Sequence, residues 1–329
     1  SDTAQLNHFN PALREALLNE LHTIAQHCDG VRCDMAMLAL NDIFAKTWSE
    51  HLALWPRPER EFWTEAVEAL TGFLWLGEVY WDREWELQQL GFHYTYDKRL
   101  YDRLRTGSAT EVVAHLSADW DFQRKLVRFL ENHDEPRSPV AFGKTRLPGV
   151  ATLFATLPGM RFYHQGQLEG RTRHLPIQLR RAADETPDRL LCRWYERLLE
   201  LTRDEVFHTG EWRLLPVEPS GDDTSRHLIA YQWRRHSTWA IVVVNLGREP
   251  AQGNVVLSDE LEVNGASGYV LIDRLHGQAH ERPTEELRVE GLYVSLDPYW
   301  AHLFTVTPVR KRQGPAGFAQ DSLKGGRHG

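Results

Sequence analysis

Cysteine is scarce: the 329 residues hold three, Cys28, Cys33 and Cys192. An odd number without framework spacing excludes a disulfide scaffold and fits reduced thiols, hence a cytoplasmic protein. A basic face is lacking too. The formal net charge is −8, whereas nucleic-acid binding rests on clustered positive charge. Arg310-Lys311-Arg312 is the only basic run, in a polar, Gly-rich tail read as disordered. No apolar run is long enough to cross a bilayer, so no membrane partner is expected. The first residues lack the basic-then-apolar order of a signal peptide. The chain opens mid-pattern, however, so upstream sequence could still carry a targeting signal. No glycine-rich run opens a helix, which excludes a phosphate loop. HExxH and paired Cys/His spacings are missing, and the sixteen histidines are scattered, so no metal ligand set is read.

What the chain does have is three short strings, each putting a carboxylate after an apolar, strand-like run. They are Gly30-Val31-Arg32-Cys33-Asp34, Gly77-Glu78-Val79-Tyr80-Trp81 and Phe129-Leu130-Glu131-Asn132-His133-Asp134. Helical stretches separate them. That order is how a parallel barrel aims acids at one point above its C-terminal face. Cleavage of a glycosidic bond needs such convergence, one carboxylate as nucleophile and one as proton donor. Twelve tryptophans are also present. Bulky core filling accounts for most, and stacking on sugar faces is the functional use of the rest.

Alternating helix and strand patterns run to about Phe207. Helices are expected over Pro11–Ala25, Arg60–Leu70, Glu111–Lys125, Val150–Thr156 and around Leu190–Leu201. Strands are expected at Gly30–Asp34, Phe73–Val79, Gly91–Tyr96, Leu126–Leu130 and Met160–Tyr163. After about Gly210, short strand-like runs alternate with turns. The candidates are Leu228–Trp233, Trp239–Val244, Gly268–Ile272, Leu287–Val289, Gly291–Leu296 and Ala301–Val306, with turns at Ser220–Asp223 and Asn264-Gly265. The fold class is therefore α/β: a partial (β/α)8 barrel over residues 1–209, an antiparallel β-sandwich over 210–308 and a disordered tail over 309–329. Five βα units are countable where a closed barrel needs eight. About three are expected upstream, so the chain reads as the C-terminal part of a longer polypeptide.

Asp34 is the best nucleophile candidate. Arg32, two residues earlier in a strand, points the same way and would hold it ionised. An ion pair at a sheet end would look alike. Glu78, among Trp75, Leu76, Val79, Tyr80 and Trp81, has the apolar setting that suits a general acid. A strand-end Glu reaching into solvent would also fit. Glu84 and Glu86 are rivals, but a charged helical stretch makes them a solvated face. Asn132, His133 and Asp134 follow Val127–Leu130 with a polarity that packing does not explain, which suggests a polyhydroxyl ligand, although His133 taken alone would read as a structural histidine. Glu131 should face the other way. Tyr80, Trp81 and His164 lie just past strand ends, where they would line a sugar cleft.

Together these strings resemble the motifs of the α-amylase family, glycoside hydrolase family 13. Gly30–Asp34 resembles the GxRxD motif of the fourth barrel strand, Gly77-Glu78-Val79 the acid/base segment of the fifth and Phe129–Asp134 the FxxNHD motif of the seventh. Gln5-Leu6-Asn7 resembles a short segment after the third strand, and Leu157–Gln167 the stretch around the eighth. There Gln167 stands where the family commonly has Glu. The resemblance implies that Asp34 is the nucleophile, Glu78 the acid/base and Asp134 the third carboxylate. It implies that Arg32 orients Asp34 and that His133 binds sugar. The family's first conserved region is not in this chain.

The expected activity is retaining α-glycoside hydrolysis of α-glucans or malto- and isomalto-oligosaccharides. Glucan transfer, sugar phosphorolysis, or an inactive or partner-dependent fragment are the alternatives. No cofactor is expected, and a calcium requirement stays open. An incomplete barrel also exposes strand edges that favour association.

Overall fold

The computed structural model describes residues 4–310 except 53, 183, 258–260 and 262–265. The Asn264-Gly265 turn and the tail beyond residue 310 lie outside the described residues.

Five parallel strands form the first sheet in the order β1-β2-β3-β4-β5: β1 (Gly30–Cys33), β2 (Leu74–Gly77), β3 (Tyr94–Tyr96), β4 (Leu126–Arg128) and β5 (Met160–Arg161). Sequential strands are spatial neighbours, as successive right-handed crossovers produce. Every C-terminal strand end therefore lies at one edge of the sheet. Close approach is demanded at once: a Cβ on Gly30 would lie 2.5 Å from the Leu74 carbonyl oxygen across the β1–β2 pair. Among the described residues, β1 and β5 each pair with a strand on one side only.

The crossovers carry helices whose ends follow local chemistry. In α1 (Pro11–Ala25), the Asn10 side chain caps the Ala12 N–H and Pro11 occupies the first turn. Next come α2 (Asn41–Trp48), α3 (Phe62–Ala69), α4 (Glu84–Gln89) and α5 (Lys98–Thr106). Ser108 and Glu111 form a reciprocal capping box on α6 (Ala109–Leu116). A second short helix, α7 (Trp120–Gln123), follows. The single helix expected over Glu111–Lys125 is thus two, and Asp119 begins the second. After α8 (Ser138–Phe142) comes α9 (Leu147–Thr156), which is buried at every residue but Pro148. In α10 (Arg189–Leu201), Asp188 caps two N–H groups and the helix buries Leu191, Tyr195, Leu198 and Leu201 along one stripe. A single turn, α11 (Val206–Thr209), leads out.

The remainder is antiparallel. A six-stranded sheet has the order β12-β11-β14-β9-β8-β6 and a three-stranded sheet the order β13-β10-β7. Their strands are β6 (Glu211–Leu215), β7 (Val217–Glu218), β8 (Leu228–Arg235), β9 (Thr238–Asn245), β10 (Ala251–Val255), β11 (Ala266–Asp273), β12 (Ala279–Pro283), β13 (Leu292–Leu296) and β14 (Ala301–Arg310). Leu287–Val289, expected as a strand, belongs to a helix, α12 (Thr284–Val289), whose Leu287 alone in that triplet is buried.

Alternation along β8 and β9 explains how the layers join. Leu228, Ala230, Ile241 and Val243 face the three-stranded sheet. Ile229, Tyr231, Trp233, Ala240, Val242 and Val244 face α9 and α10. Opposite faces of a strand thus feed two different cores. Trp233 Nε1 donates to the Thr156 carbonyl at 2.7 Å, and the Tyr231 hydroxyl lies 2.6 Å from Thr156 Oγ1. A third cluster under β1 and β2 gathers Met37, Trp63, Trp75 and Phe92. No described helix is long and apolar enough to cross a membrane.

Candidate active site

Strand β1 ends at Cys33, so Asp34 is the first residue past the sheet edge. Arg32, one pleat back, reaches Asp34 Oδ1 through one terminal nitrogen. Its other terminal nitrogen lies 2.9 Å from Glu78 Oε2. One guanidinium therefore spans both carboxylates. Tyr96, the last residue of β3, fixes that guanidinium: its ring lies under the group at 5.5 Å and its hydroxyl receives Nε at 3.4 Å. Burial works against the Arg32 charge, but the bonds to Tyr96 and Asp34 and the Glu78 charge outweigh it and hold Arg32 above its ordinary pKa.

Glu78 begins where β2 ends, and its backbone extends the ladder: its N–H donates to the Cys33 carbonyl at 2.9 Å, and its carbonyl accepts from Ala36 N at 2.8 Å. Met35 adopts a left-handed φ of 43°, an unfavourable conformation for a side-chain-bearing residue. That turn aims the Met35 N–H at Glu78 Oε2, 2.8 Å away. The Tyr80 hydroxyl donates to Oε1 at 2.8 Å. The side chain of Glu78 is 4% exposed and that of Asp34 is 76% exposed. A buried, donor-rich carboxyl thus stands beside an open one.

The loop after β4 brings a second pair. Asn132, buried, accepts the N–H groups of Asp134 and Glu135 on its side-chain oxygen, each at 2.9 Å. This turn presents His133 and Asp134, whose side chains meet at 3.1 Å. His174 Nε2 holds the loop through the His133 carbonyl at 2.8 Å. Burial, the bond to Glu78 and the charges of Glu78, Asp134 and Glu135 push the Tyr80 phenol well above its usual pKa.

Glu131 is taken up by partners of its own. It is fully buried and meets Arg137 Nη1 at 2.6 Å, Ser138 N at 2.7 Å and His164 Nδ1 at 3.1 Å. Burial would raise its carboxyl, but these partners hold it below the usual range. His164 is thus engaged with the Glu131–Arg137 pair. Trp81, with φ of 62° and 62% exposed, borders a hollow of about 460 Å³ with Asp42, Lys46, Thr47 and Arg83. Glu86 pairs with Arg83 at the surface. Glu84, expected on a solvated face, is instead buried, and burial raises its carboxyl. Burial also pushes the Cys33 thiol up to about 12, which removes it as a nucleophile at neutral pH.

Three contributors escaped the sequence reading: Tyr96, the Met35 amide and Arg137. Tyr96 ends a strand as Asp34 and Glu78 follow theirs, so extending the strand-end rule to β3 would have found it. The other two carry no signal in spacing.

No family model matches the chain. Its sequence is 26% identical over 258 residues to the α-amylase MalA of Haloarcula japonica, covering 75% of this chain and 36% of that protein. The chain thus spans about a third of the length of the curated relative it matches. Its fold is similar to the maltogenic α-amylase AmyB of Thermotoga neapolitana, with TM-score 0.70, 19% identity and coverage of 93% of this chain and 68% of the other. It is also similar to an Anoxybacillus α-amylase, with TM-score 0.68, 20% identity and coverage of 92% and 64%. A debranching enzyme of Nostoc punctiforme follows, with TM-score 0.62, 17% identity and coverage of 91% and 62%. In motif order, in sequence over three quarters of its length and in fold, this chain resembles a C-terminal portion of the α-amylase family: part of the barrel with the β-domain behind it.

Proposed function

We propose that this chain carries the catalytic carboxylates of a retaining α-glycoside hydrolase acting on α-glucans or malto- and isomalto-oligosaccharides. The observation that supports it is Arg32 bridging Asp34 and Glu78, one carboxylate on each terminal nitrogen. In this reading Glu78 protonates the glycosidic oxygen as the bond to the anomeric carbon breaks. Asp34, open and held by Arg32, attacks that carbon and forms a glycosyl ester. Glu78, now a carboxylate, takes a proton from water, which attacks the anomeric carbon and breaks its bond to the Asp34 carboxylate oxygen. Two displacements retain the anomeric configuration. Asp134 and His133 hold sugar hydroxyls while the ring distorts.

A 5-fluoro-α-glucosyl fluoride probe tests this directly. Peptide mass spectrometry is expected to find one glycosyl group on Asp34, and none in Asp34→Asn. Labelling elsewhere, or no labelling together with no hydrolysis of maltotriose, contradicts the reading.

A further inference from the structure

The six-stranded sheet gathers a second polar cluster. Asp273 ends β11, and its carboxylate is fully buried. Oδ1 accepts the backbone N–H groups of Leu275 at 3.0 Å and Leu303 at 3.4 Å. Oδ2 is met by two imidazoles through the same ring position: His276 Nδ1 at 2.6 Å and His302 Nδ1 at 2.7 Å. The β11–β12 turn folds His276 back over the strand it has just left, while His302 comes from β14 alongside. The three ligand-capable groups lie within 4.8 Å of one another.

The donors are of a definite chemical kind. Two imidazole nitrogens and one carboxylate oxygen make a three-ligand set that suits zinc and its neighbours and leaves a further position open. Calcium and magnesium want oxygen ligands throughout. A supporting shell exists as well. The two backbone N–H groups orient the carboxylate through the oxygen a metal would not use. Trp300 stacks on the His276 ring at 4.8 Å and 20°. The imidazole side chains are 19% and 18% exposed, which leaves an ion a path inward. The buried Nε2 of His276 has no hydrogen-bond partner, so the ring is committed through Nδ1 alone.

We propose that Asp273, His276 and His302 bind a divalent transition metal ion of the zinc class, which rivets the β11–β12 turn to β14. The position gives that rivet something to hold. Arg197 of α10 donates to the Arg274 carbonyl in the same turn at 2.8 and 3.1 Å, and Trp194 of α10 packs near Trp300 and His276. The ion would therefore fasten the turn that α10 grips.

The test is metal uptake by the full chain. After chelator treatment and dialysis, cobalt(II) is titrated while its visible d–d absorption is followed, and zinc is added as competitor. One equivalent should bind with a tetrahedral or five-coordinate spectrum, and zinc should displace it. His302→Gln keeps an N–H donor toward Asp273 but removes the imidazole ligand, so it should stay folded by circular dichroism and lose affinity at least tenfold. Zinc should raise the melting temperature of the parent protein and not of this variant. His280→Ala, outside the cluster, should bind as the parent does. Absence of saturable uptake, or uptake undiminished in both His302→Gln and His276→Ala, overturns the proposal and leaves the triad a hydrogen-bonded brace.

Discussion

Arg32 Nη2 lies 2.9 Å from Glu78 Oε2 while its sister nitrogen bonds Asp34, so β1 and β2 are coupled at the point where the chemistry is proposed. A planar fork can serve two carboxylates at once, and a point charge cannot. Arg32→Lys should therefore fold but misplace both acids. The expected result is a fall of about a hundredfold in kcat with KM little changed. Steady-state hydrolysis of maltotriose measures the split, and a change confined to KM would count against the bridging role.

Removal of either acid should be far more damaging than removal of a nearby bystander. Asp34→Asn and Glu78→Gln are each expected to lower kcat by roughly a hundredfold to ten-thousandfold. Glu84→Gln, at a buried position of α4, should leave turnover near the parent value and show itself in stability. Comparable losses from Glu78→Gln and Glu84→Gln would contradict the assignment.

The Glu131–Arg137 pair should govern acid stability. Glu131 is held below its unfolded pKa, so its contribution is complete above the unfolded value, about 4.3. It fades as pH falls through the folded value. Breaking the pair strands a buried charge, which typically costs about 3–5 kcal/mol. Arg137→Met should therefore melt far below the parent at pH 7, and the gap should narrow towards pH 3. Melting curves across that range give the answer.

His115 sets a second window, of opposite origin. Burial first, then Arg103 and Arg99, lower its pKa from 6.5 to about 4. Arg128 already neutralises Asp97 beside it, so the imidazole stays neutral in the fold. The unfolded chain takes up a proton between those two values and the folded chain does not, so stability falls as pH drops from about 6.5 to 4. His115→Gln should flatten that part of the pH–stability curve, leaving the lower window in place.

At Gly149 two effects compete. Alanine gains about 1 kcal/mol of helix propensity over glycine. A Cβ there would sit 2.3 Å from the Tyr299 carbonyl oxygen, which is backbone and cannot swing aside. Overpacking of this kind costs about 1–3 kcal/mol, so Gly149→Ala should destabilise on balance. Urea unfolding would read the sign.

Much of this was legible before any coordinates. The βα order, the positions of Asp34, Glu78, His133 and Asp134, and the change of texture near Gly210 all follow from apolar runs ending in polar residues. Other features were not. Strands such as β6 and β12 read as polar sequence because they lie at the edges of their sheet, where burial does not enforce a pattern. Leu287–Val289 was too short a run to separate strand from helix by period. Glu84 looked solvated because its neighbours are charged, and only the tertiary fold covers it. In the Asp273–His276–His302 cluster the first two are close in sequence, but His302 joins them only through the pairing of β11 with β14, so spacing could not complete it.

The helix α9 has a consequence for how this chain must be made. It is enclosed nearly all round, and part of its enclosure comes from β8, β9 and β14, which are synthesised well after it. Until those strands leave the ribosome, Val150, Leu153 and Phe154 have water or a chaperone for company. The nascent barrel segment is thus obliged to wait for its own C-terminal strands, and a ribosome stalled before Ala301 would hold a sticky, unfinished intermediate.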